Sequence, residues 1–158
     1  AGVINGAALG AVAVVEVKAG FGWSQAKPAC ALSPVAVTPD DLGAWWQDGR
    51  VATRMMATLN DPAFGAVPAD EMAFGFHDLI AHAARTRDLC AGTIIGSGTV
   101  SSSRYAEVGS CCIAERRAIE MIAAGKPQTP FMQGDDRICL HAEDPQVFGR
   151  IHQKVVVG

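Results

Sequence analysis

The chain has 158 residues, of which 49% are hydrophobic and 18% are charged, and its formal net charge is −3. This length is typical of one domain that can bury a substantial core. The weak negative charge argues against nucleic acid or an anionic membrane as the main partner, and no apolar run reaches the roughly 18 residues of a membrane helix.

The chain contains five cysteines, an odd number, and they form no CxxC pair. Cys111 and Cys112 are adjacent, which disfavours an ordinary structural disulfide between them. We therefore expect reduced thiols in a cytoplasmic protein. The apolar start lacks a basic segment, so no signal peptide is predicted. It also lacks an initiating Met, and we expect a chain that is processed or cut from a longer one.

The first third of the chain predicts extended structure. Residues 12–17 are rich in β-branched side chains and predict a strand. Residues 27–37 are interrupted by prolines, which cannot donate to a ladder, so we expect an edge or a loop beside a sheet. Thr38 and Pro39 predict a helical turn, with the threonine as its cap and the proline at its first position.

The middle of the chain predicts a strand at 50–59, a hairpin loop at 60–65 and a helix at about 74–88. The helix is the principal one that the pattern predicts. Its expected apolar face repeats at helical spacing and contains Phe76, Leu79, Ile80, Ala83 and Arg87.

The last part of the chain is predicted to be rich in strands. Residues 92–101 indicate a strand that runs into a loop. Further strands are predicted in the segments 112–117, 118–122, 136–142 and 150–157. One principal helix among many strands, without an alternation of strands and helices, predicts a mainly β fold of the α+β class, such as a β-roll or sandwich.

Residues 92–103 form the most unusual segment, because closely spaced glycines alternate with hydroxyl side chains. Accessible backbone N–H groups and hydroxyls can hold a carboxylate or a phosphate. The segment lacks the lysine of a GxxxxGK phosphate loop. A purely structural Gly/Ser turn is the alternative.

Two charged side chains are candidates for catalysis. Glu115 shares a face with Ile113 if the segment is a strand, and a carboxylate among core residues is a candidate general base. An ion pair with Arg116 or Arg117 is the alternative. Lys27 follows a glycine-rich approach, where it could stabilise an enolate or orient a carboxylate, although a surface lysine is the commoner case.

Four blocks of sequence, in this order, resemble the fumarylacetoacetate hydrolase family: residues 21–43, 74–102, 109–120 and 126–136. The resemblance extends over about residues 20–155 and implies a mixed β-sandwich roll. Members of the family cleave acylpyruvates and related diketones, decarboxylate oxaloacetate-like acids, or isomerise and hydrate 2-oxo acids. They use Mg²⁺, Mn²⁺ or Ca²⁺ as a Lewis acid, and they are usually dimers or larger homo-oligomers.

The resemblance also implies roles for particular residues. Lys27 matches the family lysine near metal and substrate. Thr99, with Gly98 and Ser101 beside it, matches the loop that binds the substrate carboxylate. Glu115 matches the glutamate that orients the water-activating histidine, with a shifted local spacing. The expected ligand is accordingly a small 2-oxo acid or diketone.

The sequence departs from the family at the metal site. Gly6 occupies the position of a metal-binding aspartate, and Cys30 stands where a threonine is common. The family's Glu-x-Glu ligands and its lid with the catalytic histidine normally lie upstream. We therefore expect residues 1–158 to be a single partial catalytic domain, inactive alone, from a metal-dependent hydrolase or lyase. A non-catalytic remnant that serves in binding or oligomerisation is the alternative.

Overall fold

The computed structural model describes residues 2–4, 18–20 and 30–156. Its strands are β1 Gly2–Ile4, β2 Cys30–Leu32, β3 Trp46–Gln47, β4 Arg50–Val51, β5 Arg54–Leu59, β6 Ala63–Pro68, β7 Arg137–Ala142 and β8 Ile151–Lys154. Its α-helices are α1 Pro39–Leu42, α2 Phe76–Ala84, α3 Tyr105–Val108, α4 Ile113–Ala124 and α5 Pro145–Phe148, and a 3₁₀ turn spans Gly43–Trp45.

The main sheet has four antiparallel strands in the order β6-β5-β7-β8. β5 and β6 form the hairpin that the sequence predicts, and their loop is shorter than expected, at residues 60–62. Asn60 and Asp61 have φ angles of 53° and 76°, in the left-handed region that short polar side chains tolerate. The Asn60 amide nitrogen donates to the Asp136 carboxylate at 2.8 Å, which ties this loop to the approach to β7.

One face of this sheet carries the hydrophobic core. Ala57 lies opposite Leu140, and Leu140 lies opposite Ile151, so these buried side chains point to the same side. Met55 and Phe64 pack against this cluster from the two strands of the hairpin. The strands predicted at 50–59 and 136–142 are confirmed, with the first broken at residues 52–53. The strand predicted at 150–157 forms over Ile151–Lys154.

Two smaller antiparallel pairs accompany the main sheet: β1 with β2, and β3 with β4. The predicted turn before β3 is confirmed. Pro39 begins α1, and the Thr38 hydroxyl accepts a hydrogen bond from the Asp41 N–H at 3.2 Å. The strand predicted at 12–17 lies outside the described residues.

Helix α2 confirms the helical periodicity but is shorter than the predicted 74–88. It begins after Gly75, whose N–H donates to the Asp78 carboxylate at 3.0 Å. It ends at Ala84. The Arg85 N–H then donates to the His82 carbonyl at 3.3 Å, three residues back, as in a 3₁₀ turn. Within the predicted face Phe76, Leu79 and Ala83 are half-buried, whereas Ile80 is 46% exposed.

The strands predicted at 112–117 and 118–122 are wrong, because both segments belong to α4. With 12 residues α4 is longer than α2, so α2 is not the principal helix. Ala, Glu, Arg and Met favour a helix here, and the apparent alternation was too short to indicate a strand. Gly125 ends the helix with φ 72° and donates to the Met121 carbonyl at 2.9 Å, as a left-handed C-cap does.

The segment 92–101 is also irregular throughout, so the strand predicted there does not form. The mainly β, α+β class is confirmed at the level of antiparallel sheets with a few helices. Among the described helices none is long and apolar enough to cross a membrane.

Candidate functional site

A cavity of about 310 Å³ opens between the end of β6, the turn that follows it, the start of α2 and the Gly/Ser loop, which we define as residues 92–103. Its size is at the lower end of the range of small-molecule sites, roughly 300–1,000 Å³. The lining residues are Pro68, Ala69, Glu71, Met72, Ala73, Phe74, Leu79, Ser97, Thr99, Val100 and Ser101.

The Gly/Ser loop contributes the polar wall of this cavity. Gly98 has a φ of 78°, and no atom of the described residues lies within 4 Å of the place where a Cβ would stand. Thr99 and Ser101 are exposed lining residues, and in the described part of the chain their hydroxyls have no hydrogen-bond partner. The structure thus brings two of the predicted substrate-binding side chains to one cavity, beside the predicted glycine.

The opposite wall is a turn, residues 71–74, whose backbone is held by an arginine. Arg50 donates from Nε to the Met72 carbonyl at 3.0 Å and from Nη2 to the Ala73 carbonyl at 3.1 Å. Its Nη1 pairs with the Asp48 carboxylate at 2.7 Å. A guanidinium can serve several acceptors in fixed directions, so Arg50 fixes the shape of this wall. Sequence reasoning missed Arg50, which had the pattern of an ordinary strand residue.

Glu71 is the charged residue in the cavity lining. Its Oε1 accepts from Arg104 Nη2 at 2.6 Å, and the backbone N–H of Arg104 donates to the Ser102 hydroxyl at 3.1 Å. The Ser102 and Arg104 hydrogen bonds hold the pKa of Glu71 below its ordinary value, which keeps this carboxylate ionised at neutral pH. Sequence reasoning missed this pair, since its members lie 33 positions apart.

Glu115 lies elsewhere, in the first turn of α4, and does not line this cavity. The fully buried Ser110 donates its hydroxyl to the Glu115 carboxylate, and the same hydroxyl oxygen accepts from the Cys112 N–H at 3.2 Å. Because Glu115 is helical, the shared strand face with Ile113 is wrong. These contacts fix the start of the helix.

The ion pairs proposed for Glu115 do not form in the described part of the chain. Arg116 instead donates to the Phe64 carbonyl at 2.8 Å and stacks on the Phe64 ring at 4.7 Å. Arg117 donates to the Thr129 carbonyl and stacks on the Phe131 ring at 4.4 Å. Both arginines therefore anchor α4 to neighbouring segments.

The chain before α4 packs directly on the backbone of β6. A Cβ at Gly65 would lie 2.3 Å from the Ser110 carbonyl oxygen, and a Cβ at Gly109 would lie 2.5 Å from the Phe64 carbonyl oxygen. Gly109 also has a φ of 74°. The Ser110 N–H donates to the Phe64 carbonyl at 3.3 Å across this contact. This junction requires glycine on both sides.

All five cysteines are unpaired in the structure. Cys111 donates to the Met55 carbonyl at 3.3 Å, and burial raises the pKa of its thiol to about 11. A thiol with such a pKa is protonated at neutral pH, so Cys111 is a packing residue with low reactivity.

The chain matches the family described as Fumarylacetoacetate (FAA) hydrolase C-terminal over residues 11–156. It belongs to this family. The resemblance carried by the sequence blocks is thereby confirmed, and membership indicates hydrolase- or lyase-type activity in general terms. A comparison of the FAA hydrolase domain with curated proteins found no match.

The family is generally associated with divalent metal ions, which are held in proteins mainly by carboxylate and other oxygen ligands. In residues 2–4, 18–20 and 30–156, no group of three or more His, Cys, Asp or Glu side chains could hold a cation together. Glu71 is already paired with Arg104, which makes it a poor ligand for a hard cation. The described residues therefore do not fit a metal site. Lys27 and Gly6 lie outside them.

Proposed function

We propose that this FAA hydrolase domain binds a 2-oxo acid or a 1,3-dicarbonyl compound in the cavity beside the Gly/Ser loop, in the service of acylpyruvate-type C–C bond hydrolysis or a related lyase reaction. The observation that carries the proposal is the placement of the Thr99 and Ser101 hydroxyls, which have no partner among the described residues, in one cavity wall beside Gly98. Family membership supplies the reaction class.

The cavity offers different chemistry on its two sides. The Thr99 and Ser101 hydroxyls can donate to a carboxylate, which is the strongest acceptor of a 2-oxo acid at neutral pH. Met72 and Leu79 provide apolar surface for the body of the ligand. Glu71 also lines the cavity, and Arg104, at 2.6 Å, balances its charge. The arrangement favours short ligands that present a carboxylate to the loop.

Two predicted contributors remain proposals. Lys27 would orient the carboxylate or stabilise enolate charge, on the strength of its match to the family lysine. Mg²⁺, Mn²⁺ or Ca²⁺ would supply Lewis-acid chemistry when bound. We derive no step through such a cation, because the described residues offer no ligand set that fits it.

The second candidate function is a non-catalytic module that binds ligands or assembles with another copy of the chain. It is favoured by the position of Glu115, which Ser110 holds at the start of α4 and which does not line the cavity. In this position Glu115 stabilises the start of α4 and its contact with the segment that packs on β6. Under this alternative the cavity still binds a carboxylate, but no turnover follows.

Calorimetric titration with oxalate, alone and with Mg²⁺ or Mn²⁺, tests the proposed cavity. Thr99→Val and Ser101→Ala each remove one hydroxyl, and we expect each to weaken oxalate binding by about 10-fold, the effect of roughly 1.4 kcal/mol. Ser103→Ala is the matched control, because Ser103 belongs to the same loop and does not line the cavity. Equal affinity of all four proteins would refute the proposed site.

Loss of acetylpyruvate absorbance separates the enzyme from the non-catalytic alternative. Turnover by the wild-type protein that is reduced by Lys27→Ala supports the hydrolase. Oxalate binding without turnover, under the same metal conditions, supports the binding module. A folded protein that neither binds oxalate nor cleaves acetylpyruvate contradicts the hydrolase and also contradicts carboxylate binding by the alternative module.

A further inference from the structure

We propose that Glu71 is a positioning residue, which holds the Gly/Ser loop against the turn at 71–74 through Ser102 and Arg104 and so sets where the Thr99 and Ser101 hydroxyls stand. The effect on ligand binding rests on the proposed function. The mechanical part of the inference does not, because it concerns contacts among residues of this chain alone.

Two hydrogen bonds join Glu71, Arg104 and Ser102. Arg104 Nη2 donates to Glu71 Oε1 at 2.6 Å, and the Arg104 N–H donates to the Ser102 hydroxyl oxygen at 3.1 Å. Ser102 also lowers the pKa of the Glu71 carboxylate, which favours the charged form that Arg104 pairs with. The Glu71 carboxylate therefore holds the end of the loop through Arg104 and Ser102.

The rest of the Gly/Ser loop has few contacts of its own. Within the part of the chain that the structure describes, Gly92, Gly96 and Gly98 have no atom within 4 Å of the place where a Cβ would stand. The hydrogen bonds that the described structure shows for residues 93–101 are local, from Thr93 to the Cys90 carbonyl and from Ser97 to the Gly98 carbonyl. The link to Glu71 is thus the long-range polar anchor of this segment.

The anchor point itself is held firmly. Arg50 bonds the carbonyls of Met72 and Ala73, directly after Glu71 in the chain. Loss of the Glu71 carboxylate should therefore release the loop and leave the turn in place. Thr99 is three residues from Ser102, and Ser101 is three residues from Arg104. Both side chains should then lose their fixed position in the cavity wall.

Hydrogen exchange of peptides from residues 93–104, followed from milliseconds to minutes, tests the anchor without any ligand. We expect Glu71→Gln to raise the exchange rate of this segment by about 10-fold, while peptides from 50–59 keep their wild-type rate. Arg104→Met should have the same effect from the other side of the bond. Glu107→Gln is the matched control, since Glu107 acts on Arg104 only through its charge.

The reversed pair, Glu71→Arg with Arg104→Glu, distinguishes a specific contact from a general loosening. We expect the double variant to recover most of the exchange protection that either single change removes. Unchanged exchange in both Glu71→Gln and Arg104→Met would overturn the inference. Failure of the reversed pair to recover protection, when each single variant is folded, would do so as well.

Oxalate titration of the same variants separates this inference from the proposed function. If wild-type protein binds oxalate, Glu71→Gln should weaken binding in parallel with faster loop exchange. Weaker binding with unchanged exchange would mean that Glu71 meets the ligand directly and is not a positioning residue. If no variant binds oxalate and the loop still exchanges faster, the proposed function fails and the positioning role stands.

Discussion

The Gly/Ser loop and the junction between β6 and α4 use similar residues in opposite ways. In the loop, Gly96 and Gly98 have open space around them. At the junction, Gly65 and Gly109 have backbone atoms closer than 3 Å to any added Cβ. The comparison shows that a glycine-serine composition can mark either an accessible binding surface or the closest packing in the molecule. What distinguishes the two cases is whether the backbone of another segment packs against the glycine.

The largest expected difference between the two regions is the loss of stability when a glycine is replaced by alanine. Gly65→Ala would place a Cβ 2.3 Å from the Ser110 carbonyl oxygen, with no flexible atom to move aside. We expect the free energy of unfolding to fall by about 3 kcal/mol, the upper end of the usual cost of overpacking. Urea denaturation measures this loss. Gly96→Ala is the matched control and should change stability by less than about 0.5 kcal/mol.

Comparable stability of Gly65→Ala and Gly96→Ala would break the comparison. It would mean that the strand and the Ser110 segment can separate without cost, and that the junction is no more tightly packed than the loop.

The second difference concerns thiol reactivity. Cys90 is exposed just before the Gly/Ser loop, whereas Cys111 lies at the junction with its pKa raised to about 11 by burial. A rise from the ordinary value of 9.0 reduces the thiolate fraction near pH 8 by about 100-fold. We expect iodoacetamide to label Cys90 at least about 100-fold faster than Cys111, as peptide mass spectrometry would show. Equal labelling rates in folded protein would contradict the structure of the junction.

The smallest of the three differences is the loss of stability when a serine hydroxyl is removed. Ser110→Ala leaves the Glu115 carboxylate and the Cys112 N–H without a buried partner. We expect a loss of about 2 kcal/mol in the free energy of unfolding. Ser103→Ala, on the exposed loop, should lie within about 0.5 kcal/mol of the wild type. If the two serines prove equivalent, the Ser110 network does not stabilise the start of α4.

Local chemistry in the sequence predicted much of the fold. The Thr38–Pro39 turn, the β5–β6 hairpin and the periodic face of α2 depend on residues close in the chain, and all three are confirmed. The error at α4 has an equally local cause. A few residues can satisfy a period of two and a period of 3.6 together, and Glu115 was assigned a strand face on that basis.

The candidate site was less predictable, because its shape depends on contacts between distant segments. Thr99 could be singled out from its glycine-rich surroundings. Nothing near Glu71 in the sequence indicates that it meets Arg104, and nothing near Arg50 indicates two carbonyls more than 20 positions away. Such contacts follow from how the turn after β6 folds back, which no short pattern encodes.

Arg50 also carries a consequence for how the cavity can change over time. It stands on the two-residue strand β4, outside the lining, yet it fixes the carbonyls of Met72 and Ala73. Replacement of Arg50 by lysine would keep the charge but lose the two directed hydrogen bonds to these carbonyls. Selection for a differently shaped ligand could therefore act on β4. It would change the shape of the binding wall from a distance, without any substitution of the residues that face the ligand.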